Sequence, residues 1–212
     1  MDVNHFWPTD DEIESLLAQP TEAVWAHLFD LRQKTWNGFS AIEAEKGVVR
    51  PKVSISTSYG QEVLRIIMFR VLEEASEALL AEDSTHVQEE LVDAMNYLMS
   101  LFLIDQEHGP GRGVLLSSFA EMTESISWGQ EFNLSDLGFC TRLLGGVLSD
   151  RLRNRAWMNH AQDFYFSGWD VFHESLLTVA HILLAHFESF EAFLRVYIAK
   201  DGVLQFRLKS KY

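Results

Sequence analysis

The sequence predicts an all-α fold, a helical bundle, for three reasons. The four prolines, Pro8, Pro20, Pro51 and Pro110, all fall between periodic segments. Within those segments apolar residues recur at spacings of three and four, which is the period of a helix. Sustained strand alternation is absent. A chain of 212 residues buries a substantial core, so we expect one domain over 1–212 that needs no disulfide or structural metal.

The first clear helix is predicted to begin after Pro20, with Thr21 as its candidate N-cap, and to end at Gly47. Its apolar positions are Trp25, Leu28, Phe29, Trp36, Phe39 and Ile42. The segment 52–59 that follows is rich in serine and threonine and is predicted to be a loop.

Two further helices are predicted over 61–81 and 85–105, separated by a short polar turn. The first carries a stripe of Leu64, Met68, Val71, Ala75 and Ala78. The second carries a stripe of Val87, Leu91, Ala94, Met95, Leu98 and Phe102. Thr85 and Gln88 have the spacing of a capping box at its start. Because the turn is short, we expect the two helices to form an antiparallel pair.

The remainder of the chain is predicted to contain helices near 115–127, 136–155, 170–187 and 188–200. The glycine-rich segment 108–113 precedes them. It lacks the lysine-serine ending of a phosphate-binding loop and no strand comes before it, so we interpret it as a linker.

Charge and composition exclude several classes of protein. Acidic side chains number 31 against 17 basic ones, a formal charge of -14, and this field repels long nucleic acid. The single cysteine, Cys140, cannot form an internal disulfide, which fits a reducing compartment. The start of the chain lacks the apolar run of a signal peptide, and no stretch approaches ~18 apolar residues. We therefore expect a cytoplasmic protein with no membrane partner.

The two central helices carry a repeated pattern of carboxylates, Glu74-x-x-Glu77 and then Glu90-x-x-Asp93. Residues three apart share a helix face, and each pair borders its apolar stripe at a similar angle. Packing of the stripes therefore brings the four carboxylates together beside the core. Such a cluster is stable only if some carboxyls hold protons or if cations bind, and oxygen ligands suit Mg²⁺. Either pair alone is also typical of a solvated acidic face.

At these residues the sequence resembles the all-α nucleoside triphosphate pyrophosphatase superfamily, whose signature is E-x-x-E on one helix and E-x-x-D on the next. The superfamily includes the dimeric dUTPases, the phage dCTP pyrophosphatases and the MazG-like enzymes. The resemblance implies that Glu74, Glu77, Glu90 and Asp93 bind Mg²⁺, with Mn²⁺ as a possible substitute. It further implies that Glu74 or Glu77 orients the attacking water, that the products are a nucleoside monophosphate and pyrophosphate, and that the protein is a homodimer.

Two other segments are similar to the dUTPase and dCTP pyrophosphatase branch. The early helix contains Leu31-Arg32-Gln33-Lys34 and Trp36, where the branch has a glutamine near its base pocket. The chain ends in Tyr197-Ile198-Ala199-Lys200-Asp201-Gly202, then Phe206-Arg207 and a final Tyr212, which partly matches the tail of the branch. Asp201 stands where the branch usually has asparagine. Residues of about 110–190 match only weakly and are interpreted as a helical extension.

Four basic residues are candidates for binding the phosphates of a substrate. Arg151 and Arg155 lie close together in an otherwise acidic chain, and arginine binds phosphate through two parallel hydrogen bonds. Lys200 and Arg207 are candidates through the resemblance of the tail. The alternative for Arg151 and Arg155 is simple pairing with surface carboxylates.

Four other residues are candidates for binding the nucleoside. Gln33 offers an amide with a donor and an acceptor for the edge of a pyrimidine, and Trp36 offers a ring for stacking on the base. Asn96 can hydrogen-bond the substrate, and Tyr97 can pack against deoxyribose. Each has a simpler alternative as a residue of the core or the surface.

We therefore expect hydrolysis of a deoxynucleoside triphosphate, with dUTP or dCTP favoured. A MazG-like hydrolase of a purine or modified nucleotide is the second hypothesis. A third hypothesis, motivated by the charge of -14, is an acidic helical interaction protein without enzymatic activity.

Overall fold

The fold is all-helical over the residues that the structure, a computed structural model, describes: 6–47, 57–104, 111–151 and 169–210. These residues form eight helices and no strand, which confirms the predicted all-α class. The helices are α1 (Asp10–Leu17), α2 (Thr21–Glu45), α3 (Ser58–Leu80), α4 (Ser84–Ile104), α5 (Arg112–Ser125), α6 (Leu134–Arg151), α7 (Trp169–Leu184) and α8 (Phe190–Lys209).

The predicted N-caps of α2 and α4 are wrong. Each helix is capped by a residue upstream of the expected one. Pro20, not Thr21, is the N-cap of α2, and its carbonyl accepts from the amides of the first turn. At α4 the side chain of Asp83 accepts from the His86 amide at 2.9 Å. The cap therefore lies upstream of Thr85, because an aspartate in the connecting turn satisfies the free amide first.

The helix boundaries differ from the predictions mainly at the edges of loops. Ser58 and Tyr59, expected in the loop 52–59, already belong to α3, while 52–56 lie outside the described residues. The helix α8 continues past residue 200 to Lys209, so the tail that resembles the dUTPase branch is helical up to that point. The helix α1 was not predicted. Thr9 and Glu12 form a complete capping box at its start, a signal that the sequence does contain.

The helices α3 and α4 make the most extensive contact between any two elements and are joined by only three residues, 81–83. The predicted α3 stripe is buried at every position, and the predicted α4 stripe is buried from Leu91 to Leu98. Helix α4 also contacts α2, α7 and α8. It is therefore the central helix of the described fold, and side chains on its polar edge are held by neighbours on several sides.

An aromatic cluster joins α2, α5 and α8. The ring of Trp25 lies 4.6 Å from that of Phe119 and 5.8 Å from that of Phe193, measured between centroids. Its indole nitrogen, fully buried, donates to the Thr123 hydroxyl at 2.9 Å. Buried tryptophans need such a partner, so Thr123 completes the cluster. Among the described helices none is both long and apolar enough to cross a bilayer.

Thr123→Val should lower the free energy of unfolding by about 1–3 kcal/mol, because the buried indole N–H would lose its acceptor. The matched control is Thr141→Val on α6. Both threonines donate to a carbonyl four residues earlier, but Thr141 is exposed and accepts from no buried donor among the described residues. Its effect should stay below about 0.5 kcal/mol. Urea denaturation measures both, and equal effects would mean that the Trp25 contact does not stabilise the fold.

Candidate functional site

Three of the four predicted carboxylates meet where α3 packs on α4. Glu74 comes from α3, while Glu90 and Asp93 come from consecutive turns of one face of α4. One oxygen from each side chain lies within 4.8 Å of an oxygen from the other two. Glu90 is only 8% exposed, and the other two are half-buried. The grouping places three acidic groups beside the apolar stripes, with one edge open to solvent.

Glu77 lies at the rim of this triad. It is exposed, and it is not among the three residues whose oxygens converge. Its charge nevertheless acts on Glu74, one turn earlier on α3. Glu77 also lines a shallow depression with Glu82, Asp83 and His86 at the end of the helix pair.

The crowding of the triad favours the protonated form of Glu74. The pKa of Glu74 is raised from 4.5 to about 7, chiefly by burial. A hydrogen bond with Glu90 adds to this effect, followed by the negative charges of Asp93 and Glu77. Protonation is one of the two ways in which crowded carboxylates become stable, and cation binding is the other.

Side-chain nitrogens from two helices lie against carboxylates of this region. The ammonium of Lys200, on α8, lies 2.6 Å from Oδ2 of Asp93 and 3.9 Å from Oε2 of Glu89. On α4 itself, Nδ1 of His86 lies 3.4 Å from Oε1 of Glu90, one turn away. The candidate phosphate ligand Lys200 is therefore already in contact with a member of the triad.

A cavity of about 660 Å³ opens beside the triad, between α2, α3, α4 and α8. Glu74 and Asp93 form part of its wall. Of the predicted substrate ligands, the cavity is lined by Trp36, Asn96, Tyr97 and Arg207. The volume lies within the range of small-molecule sites, and the wall combines aromatic and charged groups as such sites do.

The inner wall of the cavity carries hydrogen-bond donors. The side chain of Asn96 is 6% exposed, and its Nδ2 has no hydrogen-bond partner within the described part of the chain. Arg32 is buried beside it, with Nε donating to Ser100 Oγ at 2.7 Å. The Ser100 hydroxyl donates in turn to the backbone carbonyl of Asn96 at 2.9 Å. These hydrogen bonds fix the Arg32 guanidinium near Asn96, whose side-chain amide nitrogen has no partner among the described residues.

Arg32 and Arg70 line the cavity but were not predicted as site residues. For Arg32 the sequence does contain a signal. It lies four residues after Leu28, at a stripe position of α2 where an apolar side chain is expected. For Arg70 the sequence contains no comparable signal, because an exposed arginine that pairs with Glu73 three residues later is an ordinary surface feature.

Besides Lys200, which contacts the triad, three predicted substrate ligands are not among the described residues that line this cavity. The Gln33 amide donates to Asn37 Oδ1 at 3.0 Å, and Gln33 is not part of the cavity wall. The backbone of Arg151 ends α6, but the position of its side chain is not described. Arg155 lies outside the described residues. The roles of these three residues stay predictions.

The raised pKa of Glu74 predicts how stability depends on pH in protein kept free of divalent cations. Folding favours the protonated carboxyl, so its contribution is complete below pH 4.5 and is lost as the pH rises through about 7. Glu74→Gln mimics the protonated form. We expect this variant to match the wild type at pH 4.5 and to be more stable at pH 8.

Chemical denaturation in EDTA at both pH values measures the difference between the variant and the wild type. Glu73→Gln is the control, because Glu73 is the exposed neighbour that pairs with Arg70. A difference between Glu74→Gln and wild type that is the same at pH 4.5 and pH 8 would contradict the assignment of the proton to Glu74.

Comparison of the chain with models of protein families, with curated proteins and with solved structures finds no match. A helical fold by itself does not specify a reaction, since one fold supports many activities. The function must therefore be inferred from the side chains of the site and from the resemblance in carboxylate spacing.

Proposed function

We propose that this protein is a Mg²⁺-dependent nucleoside triphosphate pyrophosphohydrolase of the cytoplasm. It converts a deoxynucleoside triphosphate, with dUTP or dCTP favoured, to the monophosphate and pyrophosphate. The observation that carries the proposal is the convergence of Glu74, Glu90 and Asp93 at the edge of a cavity large enough for a nucleotide. We also propose that α3 and α4 form an antiparallel pair, in which Glu74-x-x-Glu77 faces Glu90-x-x-Asp93.

The donor set fits a hard divalent cation. All three converging groups are carboxylates, the ligands that Mg²⁺ prefers, and one of them is partly protonated when no cation is present. Glu74, Glu90 and Asp93 would hold the cation, and Glu77, one turn along α3, is the proposed fourth ligand. When bound, Mg²⁺ neutralises polyphosphate charge and increases the acidity of a water molecule.

The glutamates of α3 are the groups that can accept a proton from the attacking water. Carboxylates are suitable general bases, and Glu74 and Glu77 lie one turn apart on α3 beside the proposed cation site. Glu77 is exposed and close enough to influence Glu74, so it can orient the water from the solvent side. Attack on phosphorus then releases the monophosphate and pyrophosphate.

The cavity has groups suited to each part of a nucleotide. Arg70 and Arg207 are exposed arginines in its wall and can bind phosphate oxygens. Trp36 and Tyr97 supply aromatic surface for the base and for deoxyribose. Asn96, whose buried amide nitrogen is unpartnered within the described chain, can donate to an oxygen of the nucleoside.

We infer that the active protein is a homodimer. Helix α3 leaves three large apolar side chains exposed, namely Ile66, Phe69 and Leu80. Ile66 also lines the cavity, so a second copy packed on this helix would lie next to the site. Exposed apolar surface of this kind commonly marks an association surface.

The hydrolase proposal predicts pyrophosphate release from a deoxynucleoside triphosphate in the presence of Mg²⁺. A panel of dUTP, dCTP, dTTP, dATP and dGTP identifies the preferred base, and a purine or modified nucleotide as best substrate would favour the MazG-like alternative. Asp93→Asn and Glu77→Ala should each lower kcat at least about a hundredfold, the scale of losing a group that acts in the transition state.

The control for this experiment is Glu121→Gln, because Glu121 is an exposed glutamate on α5 outside the cavity wall. This variant removes the same charge and should retain full activity. Folded protein that turns over none of the five nucleotides would remove the hydrolase proposal. Partner binding that survives Glu77→Ala and Asp93→Asn would then support an interaction protein.

Trp36→Leu should raise KM about tenfold with a much smaller effect on kcat, because base–aromatic stacking contributes about 1–3 kcal/mol and acts before the chemical step. Leucine keeps an apolar side chain at the position where Trp36 packs against the core. Trp7→Leu is the control, since Trp7 is exposed and outside the cavity wall. Steady-state kinetics on the best substrate gives both constants, and an unchanged KM would exclude contact between Trp36 and the base.

A further inference from the structure

Lys200 occupies an unusual position for a solvated surface lysine. Its side chain is only 16% exposed, and its ammonium reaches from α8 across to α4. There it lies 2.6 Å from Oδ2 of Asp93, a member of the carboxylate triad. A compact positive charge at this distance interacts with the carboxylate strongly, because partial burial weakens the screening by water.

A second carboxylate lies within reach of the same ammonium. Oε2 of Glu89 is 3.9 Å from Nζ, and Glu89 is also only partly exposed. Glu89 and Asp93 are four residues apart on α4, so they present their carboxylates on one face of the helix. Glu89 is not part of the triad. Lys200 can therefore shift from Asp93 towards Glu89 without leaving a partly buried charge unpaired.

We propose that Lys200 is an internal counter-ion of the triad, that it competes with the divalent cation for Asp93, and that cation binding transfers its ammonium to Glu89. This inference rests on the cation site of the proposed function. Without the cation, Lys200 supplies the positive charge that the clustered carboxylates require. With the cation bound, Asp93 carries a stronger partner and Lys200 is held by Glu89 at the edge of the site.

A purely structural role for the same ion pair has different consequences. If the pair served only to hold α8 against α4, its loss would weaken the fold with or without cation and would leave cation affinity unchanged. The two helices are in contact, and α8 is also anchored in the core by the buried residues Val196, Tyr197 and Val203. Cation affinity is therefore the measurement that separates competition from tethering.

The test is direct binding of Mn²⁺, followed by the electron paramagnetic resonance signal of the free ion at constant ionic strength. Lys200→Met should bind Mn²⁺ about tenfold more tightly than the wild type. The substitution removes a positive charge that contacts Asp93, one of the proposed ligands of the cation. Lys209→Met is the matched control. It removes the same charge from an exposed position on α8 and should change the affinity less than twofold. Affinity in Lys200→Met that is equal to or weaker than wild type would overturn the proposal.

Two further measurements apply even if Lys200→Met fails to fold. Lys200→Arg keeps the positive charge and should bind Mn²⁺ within about threefold of the wild type; tightening to the level expected for Lys200→Met would overturn the proposal. In wild-type protein labelled with ¹⁵N-lysine, the Nζ resonance of Lys200 should shift on titration with Mg²⁺ and saturate as the site fills. A resonance that stays unchanged while the triad binds cation would also overturn it, as would folded protein that binds no cation.

The outcome for Lys200 is distinguishable from the outcome for the proposed reaction. Competition between Lys200 and the cation, in protein that hydrolyses no deoxynucleoside triphosphate, would support the counter-ion and remove the hydrolase. Hydrolysis with a Mn²⁺ affinity that does not respond to Lys200→Met would support the hydrolase and remove the counter-ion.

Discussion

The repulsion among carboxylates at the boundary between α3 and α4 is the constraint that shapes the site. Glu74, Glu90 and Asp93 each place a carboxylate oxygen within 4.8 Å of the others, and all three are partly removed from water. Like charges in this position are unfavourable unless a proton or a positive group neutralises them. The structure uses both devices, a raised pKa at Glu74 and the ammonium of Lys200 against Asp93. In the proposed function, this cluster exchanges its proton and its lysine for a cation.

The packing around α4 provides the rigid frame that holds these charges together. Its apolar stripe meets that of α3, while α2, α7 and α8 enclose its other sides. Close-packed helices resist small displacements, so side chains along the polar edge of α4 keep fixed relative positions. The same arrangement leaves a cavity between α2, α3, α4 and α8, directly beside the triad. The core thus determines both where the carboxylates meet and what space a ligand has next to them.

Much of this organisation could be predicted because it depends on local patterns. The stripes of α3 and α4 follow from a spacing of three and four, and they are buried largely as expected. Errors arose where neighbouring residues compete for one role, as when Asp83 rather than Thr85 caps α4. The position of Arg32 inside an apolar stripe is a signal in the sequence, but a helix with an imperfect stripe produces the same pattern.

The sequence by itself determined the helical class, the acidic balance of the chain and the pairing of carboxylates on two helix faces, since all three depend on composition or on residues within one turn. Only the tertiary structure decided that Glu77 stays at the rim while the other three converge. It also decided that Lys200, far away in the chain, contacts Asp93. The reason is that the rotation and the approach of packed helices are set by the whole core, and a difference of one helical step separates a side chain that joins a cluster from one that faces water.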